Sequence, residues 1–153
     1  MPRVEDRLRE IGIEISPPPS PQGAYQPAVI SGNLIFISGQ LPLKEGKLLY
    51  RGKVGSGVSI EEGMEAAKLA AINSLSVMKG ELGDLGRIKR IVKLTGYVSS
   101  AHGFDMQAKV INGASQFFYD VFGDRGRHAR AAVGVYELPL GAPVEIEVIA
   151  EIS

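Results

Sequence analysis

The chain has no cysteine and no tryptophan, and only two histidines, His102 and His128. Without cysteine there is no disulfide, no thiolate nucleophile and no Cys-ligated zinc or iron–sulfur site. Two histidines are too few for a multi-histidine metal centre, so no metal is expected. An excess of charge of either sign is also missing: 17 Lys and Arg balance 17 Asp and Glu. A neutral chain lacks the basic surface that drives binding to nucleic acid or anionic membranes. No apolar run approaches membrane-spanning length. The charged opening Met1-Pro2-Arg3-Val4-Glu5-Asp6 lacks the apolar stretch of a secretory signal. These absences predict a soluble, cytoplasmic protein with no membrane partner.

What remains is enough for one ordinary domain: 153 residues, of which 44% are hydrophobic. Val4, Leu8 and Ile11 form one stripe of a short helix over 2–11. Ser16-Pro17-Pro18-Pro19-Ser20-Pro21 then reads as an extended, polyproline-like linker. This separates an N-terminal helix and linker, 1–21, from a main domain, 22–153. Ala28-Val29-Ile30 and Leu34-Ile35-Phe36-Ile37 flank Ser31-Gly32-Asn33 as a hairpin would. The glycine-rich 52–57 lacks the Gly-Lys-Ser/Thr of a phosphate loop and reads as a plain loop. Ser59 and Glu62 form a capping box that opens a helix over 60–80. Asn73 lies within that helix and is expected to bond nearby backbone. A nearly unbroken apolar run over 88–98 predicts a central strand, and 104–122 predicts a second long helix. The strands 130–136 and 143–152 follow, and the order implies a two-layer α+β domain.

The last 29 residues concentrate the unexplained charge. Glu145, Glu147 and Glu151 alternate with Val144, Ile146, Val148 and Ile152, although glutamate is a poor strand former. Arg130 opens the run Ala131-Ala132-Val133-Gly134-Val135. Desolvating a guanidinium there is unfavourable unless it meets an anion. Its planar fork fits a carboxylate, either a ligand's or that of one of the glutamates. Arg125, Arg127 and His128 read as a solvated loop or as partners across a subunit boundary.

Several of these pieces resemble the Rid superfamily of reactive intermediate deaminases, also called the YjgF family. Gly23-Ala24-Tyr25-Gln26-Pro27-Ala28-Val29 is similar to that family's Gly-Pro-Tyr-Ser-Gln-Ala opening. Phe36-Ile37-Ser38-Gly39-Gln40-Leu41-Pro42 resembles its aromatic-x-Ser-Gly-Gln-Ile-Pro segment, and Asn73 a helical Asn. Ala129-Arg130-Ala131-Ala132-Val133 resembles Pro-Ala-Arg-Ser-x-Val. Leu138-Pro139 through Val144-Glu145-Ile146-Glu147 resembles its Leu-Pro…Val-Glu-Ile-Glu ending. The likeness covers about 22–152, with the N-terminal helix and linker as an extension.

That resemblance implies a chorismate-mutase-like fold, a mixed sheet of about six strands backed by two long helices, assembled as a homotrimer with clefts between subunits. It implies hydrolysis of enamines and imines of the 2-aminoacrylate type to a 2-keto acid and ammonia, without a cofactor. Arg130 would bind the substrate carboxylate and Glu147 would activate water. Tyr25 would line the cleft, and backbone around Ser38 and Gly39 would hold the substrate. The family's second-helix Asn has no clear counterpart. Asn112 counts as too far from Phe122, with Ser115 or Gln116 nearer. Two other readings stand beside the deaminase: a trimer that only binds a small carboxylate, and an RNA-cleaving or translation-inhibiting protein using Arg125, Arg127, His128 and Arg130. Net neutrality and the lack of an aromatic stacking platform weigh against the last.

Overall fold

Strict alternation makes the segment Val144–Ile152 (β7) two-faced: Val144, Ile146, Val148, Ala150 and Ile152 are buried, and the residues between them are partly exposed. The computed structural model describes residues 3–18 and 23–153. The end of the polyproline-like stretch, 19–21, lies outside them. β7 pairs on one side with Leu34–Gln40 (β2) and on the other with Ile88–Ser99 (β5), antiparallel to both. Ala28–Ser31 (β1) extends the sheet beyond β2, and Ala129–Val135 (β6) runs parallel to β5 at the other edge. The order is β1-β2-β7-β5-β6. Five strands form the sheet, where about six were expected. The short β3 (Leu43–Lys44) and β4 (Lys47–Leu48) pair only with each other.

One face of the sheet carries the helices α2 (Ile60–Leu82) and α3 (Gln107–Phe122). α2 begins where the capping box predicts: Glu62 N–H bonds Ser59 Oγ at 3.1 Å, and Ser59 N–H bonds Glu62 Oε1 at 2.9 Å. It ends at Gly83, whose φ of 77° suits glycine. Ala66, Ala67, Ala70 and Ala71 are fully buried, and their small size brings neighbouring backbone close. At Gly113 the approach is extreme, since a Cβ there would lie 2.1 Å from the Met64 carbonyl oxygen. α3 starts three residues later than expected. Gln107 Nε2 bonds back to Phe104 O at 2.8 Å and Ser100 Oγ at 3.2 Å, and 104–106 stay outside the helix.

Two side chains fasten connecting segments to these helices. Asn73 Nδ2 donates to Leu41 O and Leu43 O, each at 2.9 Å, as expected of a mid-helix Asn bonded to backbone. At the N-terminus, α1 (Val4–Glu10) buries Val4 and Leu8, and Arg7 Nε donates to Asp120 O at 2.6 Å. No helix among the described residues is long and apolar enough to cross a membrane.

Among the described residues, no layer covers the other face of the sheet. It presents Phe36, Ile149, Thr95, Tyr97 and Val133, together with Glu145 and Glu147. Phe36 and Val133 are 40% and 43% exposed, and Val29 beside Phe36 is 53% exposed.

Candidate functional site

Arg130 lies in β6 opposite Leu94 of β5. Leu94 is in the core, so strand parity turns Arg130 toward the helices. There its Nη1 donates to Asn112 Oδ1 at 2.8 Å and Ser115 Oγ at 3.2 Å. Asn112 and Ser115 are three apart and share one face of α3. Asn112, set aside on sequence spacing, therefore reaches the guanidinium together with Ser115. Among the described residues no carboxylate is within ion-pair distance of Arg130.

His128 is not in a solvated loop. Two residues before Arg130, it faces the same helix. Its Nε2 is 2.9 Å from Ser115 Oγ, and its Nδ1 is 2.7 Å from Gly126 O. The ring meets Phe118 edge-on at 6.1 Å. Burial lowers the pKa of His128, the bond to the Gly126 carbonyl works against this, and the charge on Arg130 adds to the lowering. Ser115, Gln116 and Tyr119 of α3, with Arg127, His128 and Arg130, line a cavity of about 450 Å³. Arg125 turns away from it and donates to Ile88 O at 3.2 Å.

The open face holds a carboxylate cluster. Glu147 accepts a short hydrogen bond from the Tyr97 hydroxyl. That bond, followed by burial and the charges of Glu147 and Glu145, pushes the Tyr97 pKa up to about 12. Burial, and then the charge on Glu147, raises the pKa of Glu145. Glu145 lies over Gly39, where a Cβ would be 2.6 Å from its Oε2. Ser38 and Gly39 fall where a bulge interrupts the β2–β7 ladder. Ser38 Oγ donates to Gln26 O at 2.6 Å, which ties the bulge to the segment carrying Tyr25. Tyr25 is 53% exposed. Glu151 sits at the far end of β7, 3.7 Å from Lys89 Nζ.

These placements separate Arg130 from Glu147. Antiparallel pairing of their two strands would join them, but β5 lies between β6 and β7. Adjacent β5 residues mark the two positions: Leu94 is in register with Arg130, and Thr95 with Glu147. Arg130 thus points to the helix side and Glu147 to the open side. Tyr25, Ser38 and Gly39 belong with the strand end near Glu147. The sequence reading set Asn112 aside on spacing and placed His128 in a solvated loop, with a role only in the RNA-cleaving alternative. The two-residue spacing of His128 and Arg130, which turns both side chains toward α3, was the available signal for His128.

Known proteins are similar to this one along nearly the whole chain. A family model described as "YjgF/chorismate_mutase-like, putative endoribonuclease" matches residues 5–152. Protein TCP17 of Trypanosoma cruzi is 41% identical over 152 residues, covering 99% of this chain and 95% of its own. The crystal structure of Atu1372 from Agrobacterium tumefaciens superposes with a TM-score of 0.92 at 46% identity, covering 98% of this chain and 92% of that one. A 2-iminobutanoate/2-iminopropanoate deaminase of Dermatophagoides farinae is 30% identical over 136 residues, covering 88% of this chain and 91% of its own. With the sheet order, the two long helices and the motif-bearing strands all in place, the chain belongs to the YjgF/RutC (Rid) family and has its chorismate-mutase-like α+β fold.

Proposed function

We propose that the protein hydrolyses enamines and imines of the 2-aminoacrylate type to 2-keto acids and ammonia, at clefts between the subunits of a homotrimer. The state of Arg130 carries this reading. Its guanidinium is partly buried and held by two neutral oxygens, with no carboxylate beside it among the described residues. A cation so placed is set for an incoming anion, and a substrate carboxylate fits its planar fork. The deaminase name carried by the D. farinae relative agrees with such a substrate.

Glu147 completes the chemistry from the other face. A protonated imine is already electrophilic, so the site has to orient it beside water and move protons. Glu147 takes the proton of the attacking water. Backbone at Ser38 and Gly39 holds the substrate, and Tyr25 walls the cleft. Arg130 and Glu147 of one protomer face opposite sides of the sheet, so the site pairs Arg130 of one subunit with Glu147 of its neighbour. The exposed Val29, Phe36 and Val133 give the open face the apolar character of a contact surface.

Purified protein should accelerate release of keto acid from enzymatically generated 2-aminoacrylate. Arg130→Ala should abolish this and leave the oligomer intact; equal rates for wild type and variant would refute the reading. Arg130 would equally serve a trimer that only binds carboxylates. Stabilisation by 2-ketobutyrate or benzoate without turnover would favour that alternative. An RNA-cleaving role has less support, because Arg125 is bonded to Ile88 O and is turned away from the other basic residues.

A further inference from the structure

The Arg130 cavity contains a hydrogen-bond chain that the roles above leave unused. The Gly126 carbonyl can only accept, so the Nδ1 of His128, 2.7 Å away, carries the proton. Nε2 is then the acceptor, and it faces Ser115 Oγ at 2.9 Å. Ser115 gives its hydroxyl hydrogen to His128 and receives one from Arg130 Nη1 at 3.2 Å. Every hydrogen in the chain has one acceptor, and the free lone pair of the imidazole points along it toward the group that anchors the anion. A base oriented by a fixed acceptor and hydrogen-bonded to a hydroxyl in a cavity is the arrangement proton transfer requires.

We propose that His128, with Ser115 as its contact to the substrate, is the proton acceptor and donor of the Arg130 pocket; this rests on the hydrolysis reading above. Water adds to the iminium carbon as the C=N π pair moves onto nitrogen, and Glu147 of the neighbouring subunit takes the released proton and returns it to that nitrogen. The carbinol hydrogen then passes to Ser115 Oγ while the Ser115 hydrogen moves to His128 Nε2. The C–N bond breaks, its pair leaves with ammonia, and the carbonyl forms. His128 hands its proton to ammonia, so iminium and water become keto acid and ammonium.

The surroundings keep the base ready. Arg130 and Arg127 flank His128 on its own segment, and α3 contributes Ser115, Gln116 and Tyr119. The nearby carboxylates are paired with other residues than His128: Asp120 accepts from Gln116 Nε2, and Asp124 lies 3.6 Å from Arg127 Nε. Among the described residues no carboxylate lines the cavity. Burial and Arg130 therefore favour the neutral imidazole.

The test compares full-length wild type, His128→Gln and Ser115→Ala in 2-aminoacrylate hydrolysis across pH. Glutamine can hydrogen-bond but cannot take up a proton in this range. Its kcat should fall about 10²-fold with KM changed less than about twofold, and the acidic limb of the wild-type pH profile should disappear. Ser115→Ala should lose activity in the same sense, with 2-ketobutyrate binding retained in both variants. A His128→Gln enzyme that keeps the wild-type kcat and acidic limb overturns the proposal. A nitrogen NMR titration of the wild-type imidazole guards against a variant that fails to fold. The Nδ1–H tautomer, with a titration that moves upward on adding 2-ketobutyrate, supports the role, and an Nε2–H tautomer overturns it. Wild type without turnover removes the hydrolysis reading and this proposal together; turnover indifferent to His128 removes this proposal alone.

Discussion

Arg130 holds a full charge beside two oxygens that carry none, so its replacement separates recognition from scaffolding. Arg130→Lys keeps the charge but loses the fork, and kcat/KM for 2-aminoacrylate should fall by more than about tenfold, mainly through KM. Glu147→Gln should leave carboxylate binding intact and lower kcat. Glu145 offers a pH test. Its raised pKa means that the folded protein binds more protons than the unfolded chain between the ordinary carboxylate value and the raised one. Stability therefore falls as pH rises through that window. Glu145→Gln should raise the melting temperature near pH 7 and change it little near pH 3, as thermal unfolding at the two pH values would show. His128 has the opposite sign. Its lowered pKa gives stability that is present above the ordinary histidine value and is lost as pH falls toward the folded one. The sequence marked Arg130 because a guanidinium at the mouth of an apolar strand is unfavourable. Spacing alone set Asn112 aside, because an Asn on a helix says nothing about what crosses its face until the helix is docked.

Among the elements, the α2–α3 contact is the most sensitive to added volume. Gly113→Ala would drive a methyl into the Met64 carbonyl, and backbone cannot step aside as a side-chain tip can. We expect it to cost about 3 kcal/mol, in the overpacking range. Gly80→Ala, within α2, meets only the ring of Pro18. Its helix-propensity gain of about 1 kcal/mol should offset the displaced ring, leaving stability nearly unchanged. Urea unfolding of the two variants would rank them. Element identity was legible because it is local: the Ser59–Glu62 box, the alternation of 144–152 and the apolar run of 88–98 each follow from nearest neighbours. Strand pairing was not. The segments 130–136 and 143–152 are joined by a short turn and look like a hairpin. Yet β5, far earlier in the chain, lies between them, because β6 follows α3 and pairs parallel to the strand that precedes that helix.

At the scale of the whole molecule, two helices cover one face of the sheet and leave Phe36, Val29 and Val133 on the other. Under the proposed assembly, Phe36→Glu should yield monomers in sedimentation velocity and abolish turnover while preserving the circular dichroism spectrum. Mixing refolded Arg130→Ala and Glu147→Gln chains should restore part of the activity that each lacks alone, since some interfaces would then join an intact Arg130 to an intact Glu147. The placement of those two groups on opposite faces has a kinetic corollary. A single chain then carries two half-sites and no complete one. Under the proposed assembly, turnover would belong to the contact between chains, and specific activity would become a function of how much protein is present. Below the dissociation concentration, the rate should fall more steeply than in proportion to the protein added. A dilution series, followed by reconcentration to recover the loss, would measure the strength of the assembly through its chemistry.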